Sequence, residues 1–237
     1  MEAIILAGGK GTRLQSVISN LPKPMADING RPFLSYLLRF LSTKGVRKVV
    51  LSVGYKHEVI TSYFSNRFEN MTIRYAIENE PLGTGGALVE SLKHVTEKTV
   101  FLLNGDSFFN VDVKRLYKYH RSHEFDVTLA LKEMHNFDRY GTVIIENNKV
   151  ISFEEKVYKS SGYINGGVYV LQSSFLADFP HSETFSFETE ILQRYIHQLS
   201  VGAFVDNGYF IDIGIPEDYV RAQHDLKLIQ EKTIDNL

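Results

Sequence analysis

The run Ala3-Ile4-Ile5-Leu6-Ala7-Gly8-Gly9-Lys10-Gly11-Thr12-Arg13-Leu14 decides how this chain is read. A short apolar strand gives way at once to three glycines, a threonine and an arginine. Glycine has no Cβ, so backbone N–H groups can crowd around an anion while a nearby cation adds charge. That is the composition of a phosphate cradle. Two other glycine loops do not fit. A Walker A loop needs Ser or Thr directly after its Gly-Lys, and here Gly11 follows Lys10. A dinucleotide fingerprint needs a small residue three places after its second glycine. Counting from Gly9 and Gly11, that place holds Leu14. A bare strand-to-helix turn is the simpler alternative, but it needs neither so many glycines nor the arginine.

Outward from this loop, strand and helix patterns alternate. Strands are expected at Ala3–Leu6, Lys48–Ser52, Thr72–Ile77 and Thr99–Leu103, and helices at Pro32–Lys44, Lys56–Ser65, Gly86–His94 and Asp112–Ser122. Such alternation implies an α/β fold: a Rossmann-like mixed, mainly parallel sheet flanked by helices on both faces. After about residue 125 the pattern changes. Strands at Asp126–Leu131, Thr142–Ile145, Val150–Phe153 and Ile164–Val170 follow with few helices between them, and Asn147-Asn148 reads as a hairpin turn. A helix at Phe187–His197, strands at Val201–Val205 and Tyr209–Ile211, and a helix from Pro216 to about Leu228 complete the chain. We read residues 1–229 as one domain, its N-terminal half for a nucleotide and its C-terminal half for a second substrate, with 230–237 a frayed tail.

The 237 residues carry a net charge of −2 and no cysteine. No basic field invites nucleic acid or an anionic membrane, and disulfide, thiolate and thiolate-zinc chemistry are excluded. Glu2 stands where a leader would be basic, and no apolar run approaches the roughly 20 residues that span a bilayer. A cytoplasmic location is the natural expectation. His120 and His123 share one helix face and read as solvated surface residues. Tyr117 and Tyr119 read as exposed aromatics that permit a homodimer contact.

Ligands of open α/β sheets bind at the carboxyl ends of strands. Gly8–Arg13, Glu78–Gly86 and Asn104–Asp106 follow three expected strands, so they should share one cleft. In Leu21-Pro22-Lys23-Pro24-Met25 two prolines fix the direction of a lysine suited to a polyphosphate. Glu80 in Glu80-Pro81-Leu82-Gly83-Thr84-Gly85-Gly86 could accept from the N1–H and N2–H₂ of guanine. Asp106, at the mouth of a buried strand, suits Mg²⁺, with Asp212 of Phe210-Ile211-Asp212-Ile213-Gly214 as its partner.

Taken in order, Gly-Gly-x-Gly-Thr-Arg-Leu, Pro-Lys-Pro, Pro-Leu-Gly-Thr, Asn-Gly-Asp and Asp-Ile-Gly-x-Pro-Glu-Asp-Tyr resemble the sugar-1-phosphate nucleotidyltransferases. The resemblance runs from Ala3 to Tyr219. The segments Phe137–Val143, Ile151–Val157, Ile164–Tyr169 and Ser186–Glu188 are similar to the family's D-glycero-D-manno-heptose 1-phosphate guanylyltransferase branch.

The resemblance implies a GT-A-like fold and a reaction of GTP with a sugar 1-phosphate, without nucleic acid or membrane partners. It implies that Leu6, Ala7, Gly8 and Gly9 line base and ribose, and that Gly11, Thr12 and Arg13 hold the triphosphate. Lys23 lies over the reacting phosphates. Glu80, Gly83 and Thr84 read the base, and Gly105 also meets the nucleotide. Arg13, Lys23 and Asp106 are then catalytic, and Asp106 and Asp212 bind Mg²⁺. Tyr140, Gly141, Glu155, Asn165 and Glu188 meet the sugar, and Lys156 its phosphate. Two positions depart from the family pattern: Phe210 stands where a tryptophan is frequent, and Gly85 where an alanine is. Mannose 1-phosphate, or UTP, CTP or dTTP, stays open as an alternative, as does a nucleotide-sugar binding protein without turnover.

Overall fold

The computed structural model describes residues 1–9, 11 and 21–234. In chain order its strands are β1 (Glu2–Leu6), β2 (Asp27–Ile28), β3 (Arg31–Pro32), β4 (Lys48–Val53), β5 (Arg67–Phe68), β6 (Met71–Ile77) and β7 (Thr99–Asn104). There follow β8 (Ser107–Phe109), β9 (Val127–Phe137), β10 (Thr142–Glu146), β11 (Lys149–Glu154), β12 (Lys159–Gln172), β13 (Val201–Val205) and β14 (Phe210–Asp212). The helices are α1 (Phe33–Thr43), α2 (His57–Phe64), α3 (Gly83–Leu92), α4 (Val113–His123) and α5 (Pro216–Ile234).

Ten strands make one sheet in the order β10-β11-β13-β9-β12-β7-β1-β4-β6-β5. The run β7-β1-β4-β6 is parallel throughout, as the alternation predicts. The later strands add mostly antiparallel pairs, and only β13 lies parallel to its neighbour β9. Successive side chains of a strand point to opposite faces. Ala3 and Ile5 of β1 therefore join one core layer with Phe33, Leu37, Ile60, Leu116 and Leu226 from α1, α2, α4 and α5. Ile4 joins the other, with Leu88 of α3 and Phe187, Ile191 and Leu192.

Local chemistry ends the elements where the sequence signals it. Gly45, at φ +90°, follows α1, and Asn147 and Asn148, both at positive φ, close the β10–β11 hairpin. The Asp112 side chain accepts from the Arg115 N–H at 3.0 Å, a cap worth about 1 kcal/mol.

Several expectations are corrected. Helix α3 begins at Gly83, three residues before the expected start at Gly86. Glycine's poor helix propensity obscured this start, but the glycines here serve packing. A Cβ on Gly83 would lie 2.4 Å from the Phe185 carbonyl oxygen, and one on Gly85 would lie 2.1 Å from the Phe185 ring. Strands β9 and β12 run well past the expected apolar cores, because their outer halves pair with each other where polar side chains face water. The helix expected over Phe187–His197 is a wide, π-type turn over Phe187–Gln193. Helix α5 continues to Ile234, past the expected end near Leu228.

His120 is buried, with Nδ1 2.9 Å from Thr128 Oγ1, and burial lowers its pKa to about 4. Only His123 of that pair is exposed. Tyr119 donates to the carbonyl of Ala203 at 3.0 Å, and Tyr117 packs on Phe101. Both tyrosines are half-buried rather than exposed.

Candidate active site

The mouths of β1, β4, β6 and β7 open into one cleft of about 920 Å³. Its walls include Leu6, Ala7, Gly8, Gly9, Gly11, Lys23, Glu80, Gly83, Thr84, Gly105 and Asp106, so most of the expected nucleotide residues meet there. Thr12 and Arg13 lie outside the described residues.

The backbone makes much of this wall. The Ala7 N–H donates to the Ser52 carbonyl at 2.8 Å, and the Gly105 N–H donates to the Leu6 carbonyl at 2.9 Å. A Cβ on Gly105 would stand 2.5 Å from that same Leu6 oxygen, so only glycine lets the two strand ends close together. Gly9 differs: among the described residues nothing lies within 4 Å of where its Cβ would be. Its open side is where a ligand can come close to the backbone. Gly11, at φ +60°, brings the loop onto the Lys23 stem.

The sequence reading placed Glu78 at the cleft but gave it no role of its own. The Ser52 hydroxyl donates to its Oε1 at 2.8 Å, and the Leu82 N–H donates to its Oε2 at 3.2 Å. Gly8 lies directly against this carboxylate, where a Cβ would be 2.6 Å from Oε1. Glu80, by contrast, is exposed at the rim. Gly54, Tyr55 and His57 also line the cleft from the mouth of β4. The signal that could have found them was the strand-end rule itself, applied to every expected parallel strand rather than to three.

Asp106 and Asp212 meet because β14 pairs antiparallel with β8, a strand the sequence did not suggest. That pairing sets Asp212 opposite Ser107, and the Ile213 N–H donates to the Asp106 carbonyl at 3.1 Å. Lys23 sits between the two carboxylates, its Nζ 2.7 Å from Asp106 Oδ2 and 3.5 Å from Asp212 Oδ1. Burial and the neighbouring Asp106 charge raise the Asp212 pKa, with Lys23 opposing them. Two carboxylates that repel each other and hold a cation between them fit a divalent metal. Hydrated Mg²⁺ needs only one or two protein carboxylates. Among the described residues no larger cluster of His, Asp and Glu offers a rival metal site.

The expected sugar residues are spread more widely. Tyr140 packs edge-on to Phe210, ring centroids 5.9 Å apart, which brings it beside Asp212. Its hydroxyl pKa is pushed up to about 12 by burial and the Asp212 charge. Gly141 lies tightly against the Glu154 carbonyl, where a Cβ would be at 2.7 Å. Asn165 and Glu188 belong to a hydrogen-bonded set that includes Thr84. Glu155 and Lys156 stand on an exposed turn between β11 and β12, directly after the Glu154 carbonyl that touches Gly141.

This geometry, a nucleotide-sized cleft closed by a carboxylate pair, agrees with the sequence comparison. The chain belongs to the nucleotidyl transferase family, whose profile matches residues 2–228. Among its relatives is the D-glycero-alpha-D-manno-heptose 1-phosphate guanylyltransferase of Aneurinibacillus thermoaerophilus. The two are 50% identical over 227 residues, 96% of this chain and 99% of that protein. The enzyme of the same name from Campylobacter jejuni subsp. jejuni is 51% identical over 220 residues, 92% of this chain and 97% of its own length. Among solved structures, HddC from Yersinia pseudotuberculosis complexed with GMP-PN superposes with a TM-score of 0.84 at 38% identity, covering 95% of this chain and 99% of that one.

Proposed function

We propose that this protein is a guanylyltransferase joining GTP to D-glycero-α-D-manno-heptose 1-phosphate, giving GDP-heptose and pyrophosphate. The observation that carries the reaction is the Asp106–Lys23–Asp212 arrangement at the floor of a glycine-walled cleft. The choice of heptose rests on near half-identity to two enzymes of that name over almost their full lengths.

Leu6, Ala7, Gly8 and Gly9 would then line base and ribose, with Gly105 beside them. Gly11, Thr12, Arg13 and Lys23 would take the triphosphate. Glu80, Gly83 and Thr84 would face the base. Glu78 joins them: its carboxylate is held at the Gly8 wall and can accept from guanine N–H groups. The Thr84 hydroxyl is already engaged with Glu188 and the Phe187 N–H, so Thr84 shapes this wall more than it reads it. Tyr140, Gly141, Glu155, Asn165 and Glu188 would meet the sugar, and Lys156 its phosphate.

A sugar 1-phosphate is mostly dianionic at neutral pH, because its second pKa lies near 6. Its oxygen needs no general base. It attacks the α-phosphorus of GTP in line; the new P–O bond forms as the bond to the β-phosphate oxygen breaks, and pyrophosphate leaves. The obstacle is repulsion between two anions. Arg13, Lys23 and Lys156 would screen it and stabilise the charge on the equatorial oxygens. Nucleotidyl transferases of this family generally use a divalent metal. We assign Mg²⁺ to Asp106 and Asp212, where it would add charge against the α-phosphate. Lys23 would then turn from the carboxylates to the phosphates.

Among the described residues no helix is long and apolar enough to cross a membrane. We place the reaction in the cytoplasm, where GTP is made. Pyrophosphate release measured for each NTP against a panel of sugar 1-phosphates tests the whole reading. Release should be fastest with GTP and the heptose phosphate. Faster release with mannose 1-phosphate would overturn the sugar assignment, and release with no pair would leave only a binding protein.

A further inference from the structure

Behind the cleft, a fully buried phenol joins residues from both halves of the site. Tyr169 lies on β12, between Leu102 of β7 and Leu129 of β9. Its hydroxyl donates to Glu188 Oε1 at 3.2 Å and accepts from Asn165 Nδ2 at 2.7 Å. Asn104, a cleft residue, also reaches the phenol oxygen. Burial raises the hydroxyl pKa well above its ordinary value, so the proton that Glu188 accepts stays on the phenol.

The other Glu188 oxygen, Oε2, accepts from the Thr84 hydroxyl at 2.7 Å, and that hydroxyl accepts from the Phe187 N–H at 2.8 Å. Asn165 Oδ1 accepts from the Gly167 N–H at 3.0 Å, which fixes the amide's other end. One carboxylate is thus aimed by two hydroxyls, one on β12 and one on α3. The Tyr169 ring packs edge-on to Phe187 at 5.5 Å within an otherwise apolar layer. A phenylalanine would fill that space as well, and a buried hydroxyl costs stability unless it is bonded. Packing alone therefore does not account for the oxygen, whereas aiming Glu188 and Asn165 does.

We propose that Tyr169 is a positioning residue for the sugar-phosphate half of the reaction, its hydroxyl fixing Glu188 and Asn165 in the orientation that meets the sugar. This rests on the reading above that Glu188 and Asn165 contact the sugar, and the experiment separates the two ideas.

Tyr169→Phe, Glu188→Gln and the double variant are compared by pyrophosphate release with each substrate varied, by binding of a non-hydrolysable GTP analogue, and by thermal unfolding. Tyr169→Phe should raise KM for the heptose phosphate about tenfold, the scale of one lost hydrogen bond to a charged group, and leave analogue affinity within about twofold. Added to Glu188→Gln, it should change that KM by clearly less than the roughly tenfold seen alone, because the part that passes through Glu188 is already lost and only the Asn165 part remains. An unchanged sugar KM in Tyr169→Phe beside a raised one in Glu188→Gln overturns the positioning role and leaves the sugar reading intact. An unchanged KM in Glu188→Gln overturns the sugar reading itself. Additive effects, or equal weakening of both substrates, reduce Tyr169 to packing and overturn the proposal. Tyr169→Met, which also lacks the hydroxyl, repeats the test if the phenylalanine variant does not fold.

Discussion

The two halves of the cleft are built differently. On the nucleotide side the wall is largely backbone, held by hydrogen bonds between strand ends such as Gly105 to Leu6 and Ala7 to Ser52. On the sugar side the proposed contacts other than Gly141 are side chains: Tyr140, Asn165, Glu188 with its carboxylate aimed by the Tyr169 and Thr84 hydroxyls, and Glu155 and Lys156 on an exposed turn. A backbone wall follows from the fold and changes little when surface residues change. A side-chain wall can be altered one residue at a time. On the proposed assignment, recognition of the nucleotide is tied to the sheet, and choice of sugar to residues the sheet merely carries.

The contrast can be broken or sharpened by experiment. The largest effect should come where the halves meet. Asp106→Asn should lower kcat by on the order of 10³-fold, the scale of losing a main electrostatic contributor, with thermal unfolding little changed. Near-normal turnover would remove the metal assignment. On the nucleotide side, Gly85→Ala should destabilise the fold by about 1–3 kcal/mol, since its methyl enters the Phe185 ring. Thermal unfolding reads this, and Phe185→Leu in the same chain should recover part of it. On the sugar side, Lys156→Ala should raise KM for the heptose phosphate about tenfold while binding of a GTP analogue is unchanged and the fold is untouched. Equal loss of nucleotide affinity would place Lys156 in the other half.

The smallest effect serves as a control that favours neither half. Folded His120 has a pKa of about 4 against 6.5 unfolded, so below pH 6.5 the unfolded chain binds the extra proton. The associated stability is complete above pH 6.5 and is lost as pH falls towards 4, amounting to about 1 kcal/mol at pH 5.5. His120→Gln should flatten that part of the acid limb in denaturant unfolding, without altering either KM.

The same contrast explains what could be read in advance. The parallel strands β1, β4 and β7 are buried on both faces, so they show as apolar runs, β6 alternates buried and exposed residues, and the glycine clusters mark their mouths. That much of the cleft was legible. The role of Glu78 was not, because one carboxylate at a strand end has no sequence signature until Ser52 and Leu82 are seen to hold it. His120 was misread because helical spacing shows which residues share a face but not which way that face turns. The glycines of 83–86 have a packing task that was not legible: Gly83, Gly85 and Gly86 make room for the segment Glu183–Phe185. Contacts between residues so far apart in the chain leave no local pattern.

The short β8–β14 ribbon carries one more consequence. One arm of the proposed metal-binding pair emerges in the first half of the chain and the other at residue 212, and two three-residue strands bring them together. Closing so long a loop for so few contacts is entropically costly, so the pair forms only once the large sheet between them has folded. On the proposed metal assignment, catalytic competence therefore waits for the folded sheet that carries both arms.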